Sequence, residues 1–242
     1  MIARALPPHV AVPSLAEIGI EAFITTRQAD SFALSEQSPA GDEAATGRWH
    51  ELQQALARAG GERTRLASAR QVHGTRVLTH RPSDAWDGWL RVDGADGHLL
   101  LPGAGAAAIT VADCVPVFLA HPDGAAAVVH AGWRGVASGI VAEAVRAFAR
   151  EGMRADELVV HFGPSICGRC YEVGPDVYEK LTGFETRRPR QVDLRSLLAE
   201  QVKELGVTRW SASGECTLDD NDRFYSHRAG DAGRQVAVIV AR

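Results

Sequence analysis

Residues 106–135 read AAAITVADCVPVFLAHPDGAAAVVHAGWRG. Two runs of β-branched and small apolar residues, ITVADCVPVFLA (109–120) and AAAVVHA (125–131), flank a turn at His121–Gly124. Runs of this kind bounded by turn residues read as two central strands. Each carries one soft or borderline metal ligand, Cys114 on the first and His130 on the second. With a third ligand from earlier in the chain, the two side chains can hold a zinc ion in a catalytic site.

Working outward, IEAFITT (20–26) alternates like a strand, and Arg27 follows it. The polar, aperiodic stretch 28–46 reads as a surface loop, and GRWHELQQALARA (47–59) as a helix closed by Gly60 and Gly61. RQVHGTRVLT (70–79) reads as a strand with Gly74 as a bulge, and residues 81–98 as an Asp/Gly-rich loop. Beyond the centre, VASGIVAEAVRAFAR (136–150) has helical period and ELVVHF (157–162) is strand-like. GPSICGRCYEVG (163–174) is rich in turn residues. Helices are expected at 176–182 and 193–205, the second with Asp193 as N-cap, and strands at 207–211 and 234–241. Strands and helices mix without a βαβ rhythm, and no linker or repeat divides the chain. The economical expectation is a single mixed α+β domain over residues 1–242.

The 242 residues are 45% hydrophobic, enough for a sizeable core, and the net charge is −4. Acids and bases are spread through the chain, which argues against nucleic acid as a partner. No apolar run approaches the roughly 20 residues needed to span a bilayer, and the prolines near the start interrupt any signal-peptide core. A cytoplasmic location is expected, and nothing in the sequence speaks to oligomeric state. The four cysteines, Cys114, Cys167, Cys170 and Cys216, then belong to a reducing compartment, where metal binding or catalysis is commoner than disulfides.

Taken singly, the candidate residues admit plainer roles. His73 in QVHG can bond to a backbone carbonyl, Cys114 can pack as a small hydrophobe, and His130 can be a strand-end histidine. A His, Cys, His trio with one open position matches a catalytic zinc site in outline, but wide spacing over three elements does not by itself select these three from nine histidines and four cysteines. Cys167-Gly168-Arg169-Cys170 is a C-x-x-C, the form of a redox pair or of half a zinc site, but it lies in a turn rather than opening a helix in a βαβ unit and lacks a second C-x-x-C to complete a four-cysteine zinc site. One of its cysteines is expected near the pocket and the other in packing. Arg134 in GWRG can clamp a phosphate or carboxylate, as can Arg27, or either can pair with an acid. Asp93 and Asp96 in VDGADG can cap turns or act as acid–base groups.

QVHG, TVADCVPV, HAGWRG, GPSICGRCYEVG, DLRSLL, CT and FYSHR followed by GRQ occur in an order that resembles the laccase-domain family. That family is variously described as polyphenol oxidases, purine nucleoside phosphorylases and peptidoglycan editing factors. The resemblance runs from about residue 70 to the C-terminus. It implies an α+β fold of mixed β-sheets packed between helices in αββα-like layers, with His73, Cys114 and His130 as the metal ligands. It also implies purine nucleosides (adenosine, inosine and methylthioadenosine) as substrates. The chain departs from the family pattern where glycines are usual after Thr-Thr-Arg, having Gln28, Ala29 and Asp30. It has Gly47-Arg48 at the start of the first helix, and Ser226-His227-Arg228-Ala229 for Ser-Tyr-Arg-Arg.

Copper oxidase chemistry fails on a count: a trinuclear centre needs many histidines, commonly in His-x-His pairs, and this chain has nine with no such pair. Zinc is the expected metal, with copper a competitor for its nitrogen ligands. Zinc on three ligands lowers the pKa of water to about 7 for attack on C6 of adenine, with Asp93 or Asp113 as acid–base partner. Phosphorolysis needs an anion cradle, for which Arg134, Arg27 and the N–H groups around 132–135 are candidates. Two other readings stand beside this one. One is an amide hydrolase in peptidoglycan precursor editing, with Cys114 as nucleophile and His130 or His73 as base. The other is a non-catalytic protein with a structural metal.

Overall fold

The computed structural model describes residues 5–34, 43–60 and 65–242. Its strands, in chain order, are β1 (His9–Ala11), β2 (Glu21–Thr25), β3 (Leu66–Arg70), β4 (Val77–His80), β5 (Trp89–Asp93), β6 (Gly97–Leu100) and β7 (Ala106–Val111). They continue with β8 (Val115–Ala120), β9 (Ala126–Ala131), β10 (Val159–Phe162), β11 (Glu172–Val173), β12 (Arg190–Gln191), β13 (Arg209–Ala212) and β14 (Gln235–Val240). The helices are α1 (Pro13–Ala16), α2 (Glu43–Gly60), α3 (Trp133–Ala137), α4 (Ile140–Arg150), α5 (Pro175–Thr182) and α6 (Leu194–Glu204).

Two six-stranded sheets, ordered β1-β2-β14-β7-β3-β5 and β13-β10-β8-β9-β6-β4, carry the fold. Both are mixed: β7 pairs antiparallel with β14 and parallel with β3, and β10 pairs antiparallel with β8 and parallel with β13. Side chains alternate along each strand, so one strand feeds two cores. Ala107, Ile109 and Val111 of β7 meet Phe118 and Ala120 of β8 between the sheets, while Ala106 and Ala108 point outward to Trp49, Leu52 and Leu56 of α2. On the far side, Val115, Val117 and Leu119 of β8 pack with Ile140, Val141 and Phe148 of α4 and with Leu198 and Val202 of α6. The layers are therefore helix, sheet, sheet, helix, in the expected α+β arrangement. Burial on both faces explains why the central strands are apolar throughout. Each fully buried Val, Leu or Ile contributes about 1.5–3 kcal/mol to that stack.

The run ITVADCVPVFLA is not one strand. It breaks after Val111, and β7 and β8 belong to different sheets. Asp113, with φ of +81°, makes the corner. The turn at His121–Gly124 does join β8 to β9 as an antiparallel hairpin. Other expected boundaries also move. The strand over 70–79 is the end of β3, a loop and then β4, so His73 and Gly74 lie in the loop and Gly74 is not a bulge within a strand; His73, with φ of +58°, takes the left-handed conformation there. The loop over 81–98 contains β5, whose Trp89 is half-buried against the α2 side chains, and the start of β6, whose His98 is buried. Gly139, with φ of +79°, divides the helix over 136–150 into α3 and α4. α2 begins at Glu43, before the expected start, and Gly60 is still helical; Gly61 and residues 35–42 of the expected loop lie outside the described residues. Asp193 caps α6 as expected, its carboxylate accepting the N–H groups of Arg195 and Ser196. No described helix is long and apolar enough to cross a membrane.

Candidate metal centre

Cys114 lies at the corner where the chain passes from β7 to β8, and His130 on β9, paired across the hairpin with Pro116. His73 reaches the same point from the loop between β3 and β4. One ligand atom from each of the three lies within 4.8 Å of the other two. The β8–β9 hairpin and the corner before it thus bring two candidate ligands together, and the loop that joins β3 of one sheet to β4 of the other brings the third.

Asp96 organises the set, and it is fully buried. Its Oδ2 accepts the N–H groups of Val72 at 3.2 Å and Gly74 at 2.7 Å, and its Oδ1 accepts that of His73 at 2.9 Å. The same Oδ1 lies 3.0 Å from His130 Nδ1, so a proton on Nδ1 leaves Nε2 as the lone-pair nitrogen. Burial pushes the Asp96 carboxyl up, but the His130 bond and the Gly74 and Val72 amides outweigh it and hold the group below the usual carboxylate range. Burial likewise pushes the Cys114 thiol up, and the adjacent His130 and His73 bring it down to about 6. In His130 burial favours the neutral ring, but the Cys114 charge and the Asp96 bond raise it to about 9. A thiolate facing two imidazoles is a donor set for a borderline cation.

The backbone beneath the ligands is bare. A Cβ on Gly132 would stand 3.0 Å from Cys114 Sγ and 3.0 Å from His73 Cδ2. Gln71 secures the His73 loop against β7: its Oε1 accepts the Thr110 N–H at 2.8 Å and its Nε2 donates to the Thr110 carbonyl at 2.8 Å. Among the described residues the cluster offers three protein donors and no fourth. The donor chemistry, the carboxylate-held histidine and the bare backbone at Gly132 fit a metal ion of borderline softness. A cavity of about 600 Å³ opens from the three ligands, with Phe32 and Trp49 as apolar wall and Arg70, Arg91, His227 and Arg234 as polar wall.

The other candidates are placed differently. Arg27 is committed to the loop before β14, donating to the Asn221 and Phe224 carbonyls and to Asp231 at 2.6 Å. Asp93 is exposed and paired with Arg70 at the cavity rim. Asp113 accepts Thr217 Oγ1 at 2.6 Å and the Arg228 N–H at 2.7 Å, one on each oxygen, so it fixes the corner beside Cys114. Arg134, on the first turn of α3, lies over the Trp133 ring at 4.4 Å. Burial raises the Tyr171 phenol, as the Cys114 charge does, and the Arg228 and Arg134 charges oppose that rise without reversing it. Neither Cys167 nor Cys170 lines the cavity, contrary to expectation; both gather with Cys216 and Asp219. The role of Asp96 was hidden because an Asp-Gly-rich stretch has the same sequence signature whether it makes a turn or holds ligands.

The sequence model of the family described as multi-copper polyphenol oxidoreductase laccase matches residues 23–242. The purine nucleoside phosphorylase ORF3 of Streptomyces griseus is 33% identical over 177 residues, covering 70% of this chain and 71% of the relative. A purine nucleoside phosphorylase of Xylella fastidiosa is 37% identical over 186 residues, covering 71% and 70%. Among solved structures, YlmD from Geobacillus stearothermophilus superposes with a TM-score of 0.81 at 25% identity, covering 96% of this chain and 94% of that one. The Bacillus licheniformis hypothetical protein YfiH gives 0.82 at 20% identity, covering 98% and 97%, and speaks to the fold alone.

Proposed function

The chain belongs to the multi-copper polyphenol oxidoreductase laccase family, and from that premise and its relatives named as purine nucleoside phosphorylases we propose that it is a zinc-dependent purine nucleoside phosphorylase. The observation that carries this is the meeting of His73, Cys114 and His130, without a fourth protein donor among the described residues, at a cavity of about 600 Å³. In phosphorolysis a phosphate oxygen bonds to C1′ of the ribose as the C1′–N9 bond breaks. The purine leaves with the electron pair and takes up a proton. Zinc held by the three side chains supplies a fixed positive charge and a Lewis acid for an oxygen ligand.

The residues of the chain supply the rest. Asp96 keeps His130 in one tautomer and fixes the loop that presents His73. Phe32 and Trp49 offer an apolar wall for the flat base. We assign the phosphate clamp to Arg134, which follows Gly132 on the first turn of α3 and whose charge, like that of Cys114, acts on Tyr171. Arg27 is left out of that role because Asp231 and two carbonyls take its donors. Proton transfer to the base is assigned to His227, which lines the cavity, rather than to Asp93 or Asp113, which are engaged elsewhere. Adenosine deamination and methylthioadenosine phosphorolysis are further activities proposed for the same cavity.

A second reading has one observation in its favour. Cys114, His130 and Asp96 form a line of nucleophile, base and orienting carboxylate, the arrangement of a cysteine amide hydrolase acting on peptidoglycan precursors. Metal analysis of Cys114→Ser, with an inosine assay in phosphate, separates the two. Loss of zinc together with loss of base release is the expected result. A variant without zinc that cleaves inosine at the wild-type rate contradicts the phosphorylase. A metal-free protein that is active on amides and inactivated by thiol alkylation replaces it with the hydrolase.

A further inference from the structure

The C-x-x-C of the sequence has a counterpart that no cysteine count can find. Cys167 and Cys170 lie in the loop after β10, and Cys216-Thr217-Leu218-Asp219 lies in the loop after β13. The two pairs have the same spacing, with a carboxylate in place of the fourth thiol. One ligand atom from each of Cys167, Cys170, Cys216 and Asp219 lies within 4.8 Å of the other three. All three cysteines are free thiols.

Backbone contacts hold the loops in this position. Ser165 and Cys216 form a parallel bridge, and the Thr217 N–H donates to the Ser165 carbonyl at 3.2 Å. The Cys167 N–H points at Cys216 Sγ, 3.3 Å away. The first pair turns tightly, with the Cys170 N–H donating to the Cys167 carbonyl at 3.0 Å. That turn is pressed against the start of α6: a Cβ on Gly168 would stand 2.8 Å from the Asp193 Cβ. The second pair is fixed by the Asp220 carboxylate, which accepts the Cys216 N–H at 2.9 Å.

We propose that these four side chains are a second, structural zinc site, Cys167, Cys170 and Cys216 with Asp219, separate from the one on His73, Cys114 and His130. Tetrahedral zinc with bonds of about 2.3 Å to sulfur and about 2.0–2.2 Å to oxygen sets sulfur and oxygen roughly 3.5 Å apart. The Asp219 oxygens lie 3.2 Å from Cys170 Sγ and 3.8 Å from Cys167 Sγ, on either side of that value. Three thiolates and a carboxylate select zinc among the common divalent ions, and four protein donors close the site to substrate. Arg169, 3.3 Å from Asp219, offsets part of the excess negative charge. A redox C-x-x-C would leave the convergence of Cys216 and Asp219 unexplained.

The second site braces the first. Thr217, inside the Cys216–Asp219 turn, donates its hydroxyl to Asp113, the residue that makes the corner before Cys114. The inference goes beyond the phosphorylase reading and stands whichever reaction the cavity supports.

The test is metal stoichiometry on full-length protein loaded with zinc and freed of excess by desalting. Wild type is expected to hold two zinc ions, and Cys114→Ala, Cys170→Ser and Asp219→Ala fewer. The zinc left in Cys114→Ala should show three sulfur neighbours by X-ray absorption, while that left in Cys170→Ser should show one. If Cys170→Ser fails to fold, the Cys114→Ala spectrum decides alone. Cys114→Ala with no zinc, or with zinc that lacks the three sulfur neighbours, overturns the proposal; a wild type whose single zinc shows three sulfur neighbours sinks the first site and not this one. Loss of phosphorolysis with both metals retained sinks the function and not this site.

Discussion

Asp96 Oδ1 lies 3.0 Å from His130 Nδ1 and accepts the backbone N–H of His73 at 2.9 Å, so one buried carboxylate positions two of the three candidate ligands. Asp96→Asn keeps the shape but lets its amide NH₂ face donors that the carboxylate accepted. It should weaken zinc binding by about 10–100-fold, the usual effect of losing a carboxylate behind a ligand histidine. Competition with a chromophoric chelator measures this; unchanged affinity would show that Asp96 holds only the fold.

Gly132 is required for space rather than for an unusual backbone angle. Gly132→Ala sets a methyl 3.0 Å from Cys114 Sγ and from the His73 ring. The expected cost is about 1–3 kcal/mol of stability from overpacking, with a fall in zinc retention. A variant with wild-type zinc content and melting temperature would contradict the close fit.

Asp30 occupies one of the positions where the family usually has glycine, at φ of 58° and ψ of 179°. That region is all but restricted to glycine and costs other residues about 1–3 kcal/mol. Asp30→Gly relieves it, at a smaller cost in chain entropy. A gain of about 1 kcal/mol is expected, raising the melting temperature by roughly 2–4 °C for a chain of this size. A lower melting temperature would mean that the Asp30 side chain contributes more than its backbone costs.

Asp231 gives an acid limb to the stability. The Ser226 N–H, with Arg27 and Asn221 and against the effect of burial, brings its carboxyl from 3.8 to about 2. A depressed carboxyl stabilises the fold above its unfolded pKa, and that contribution drains away as the pH falls through the folded value. Wild type should lose about 1–2 kcal/mol from this group between roughly pH 4 and pH 2, allowing for solvent screening. Denaturant titrations across that window should show a flatter slope for Asp231→Asn. Equal slopes would remove Asp231 from the account of acid stability.

The hairpin was legible because both of its strands are apolar and each carries a ligand-type residue, Cys114 or His130. The corner at Asp113 was not, since TVADCVPV stays apolar while passing from one sheet to the other. His73 is a single histidine in a loop, and only the order of surrounding motifs singled it out. Asp96 has the sequence signature of a turn residue. Asp219 completes the Cys167–Cys170 cluster across a long separation in the chain, and as a carboxylate it escapes a search for paired cysteines. In each case what sequence could not supply was a contact between residues far apart in the chain.

The most direct measurement is hypoxanthine release from inosine by the zinc-loaded protein, with and without phosphate, beside Cys114→Ser. Release that requires phosphate, yields ribose 1-phosphate in equal amount and disappears in the variant is the expected result. Release independent of phosphate, or undiminished in Cys114→Ser, would contradict a phosphorylase built on His73, Cys114 and His130.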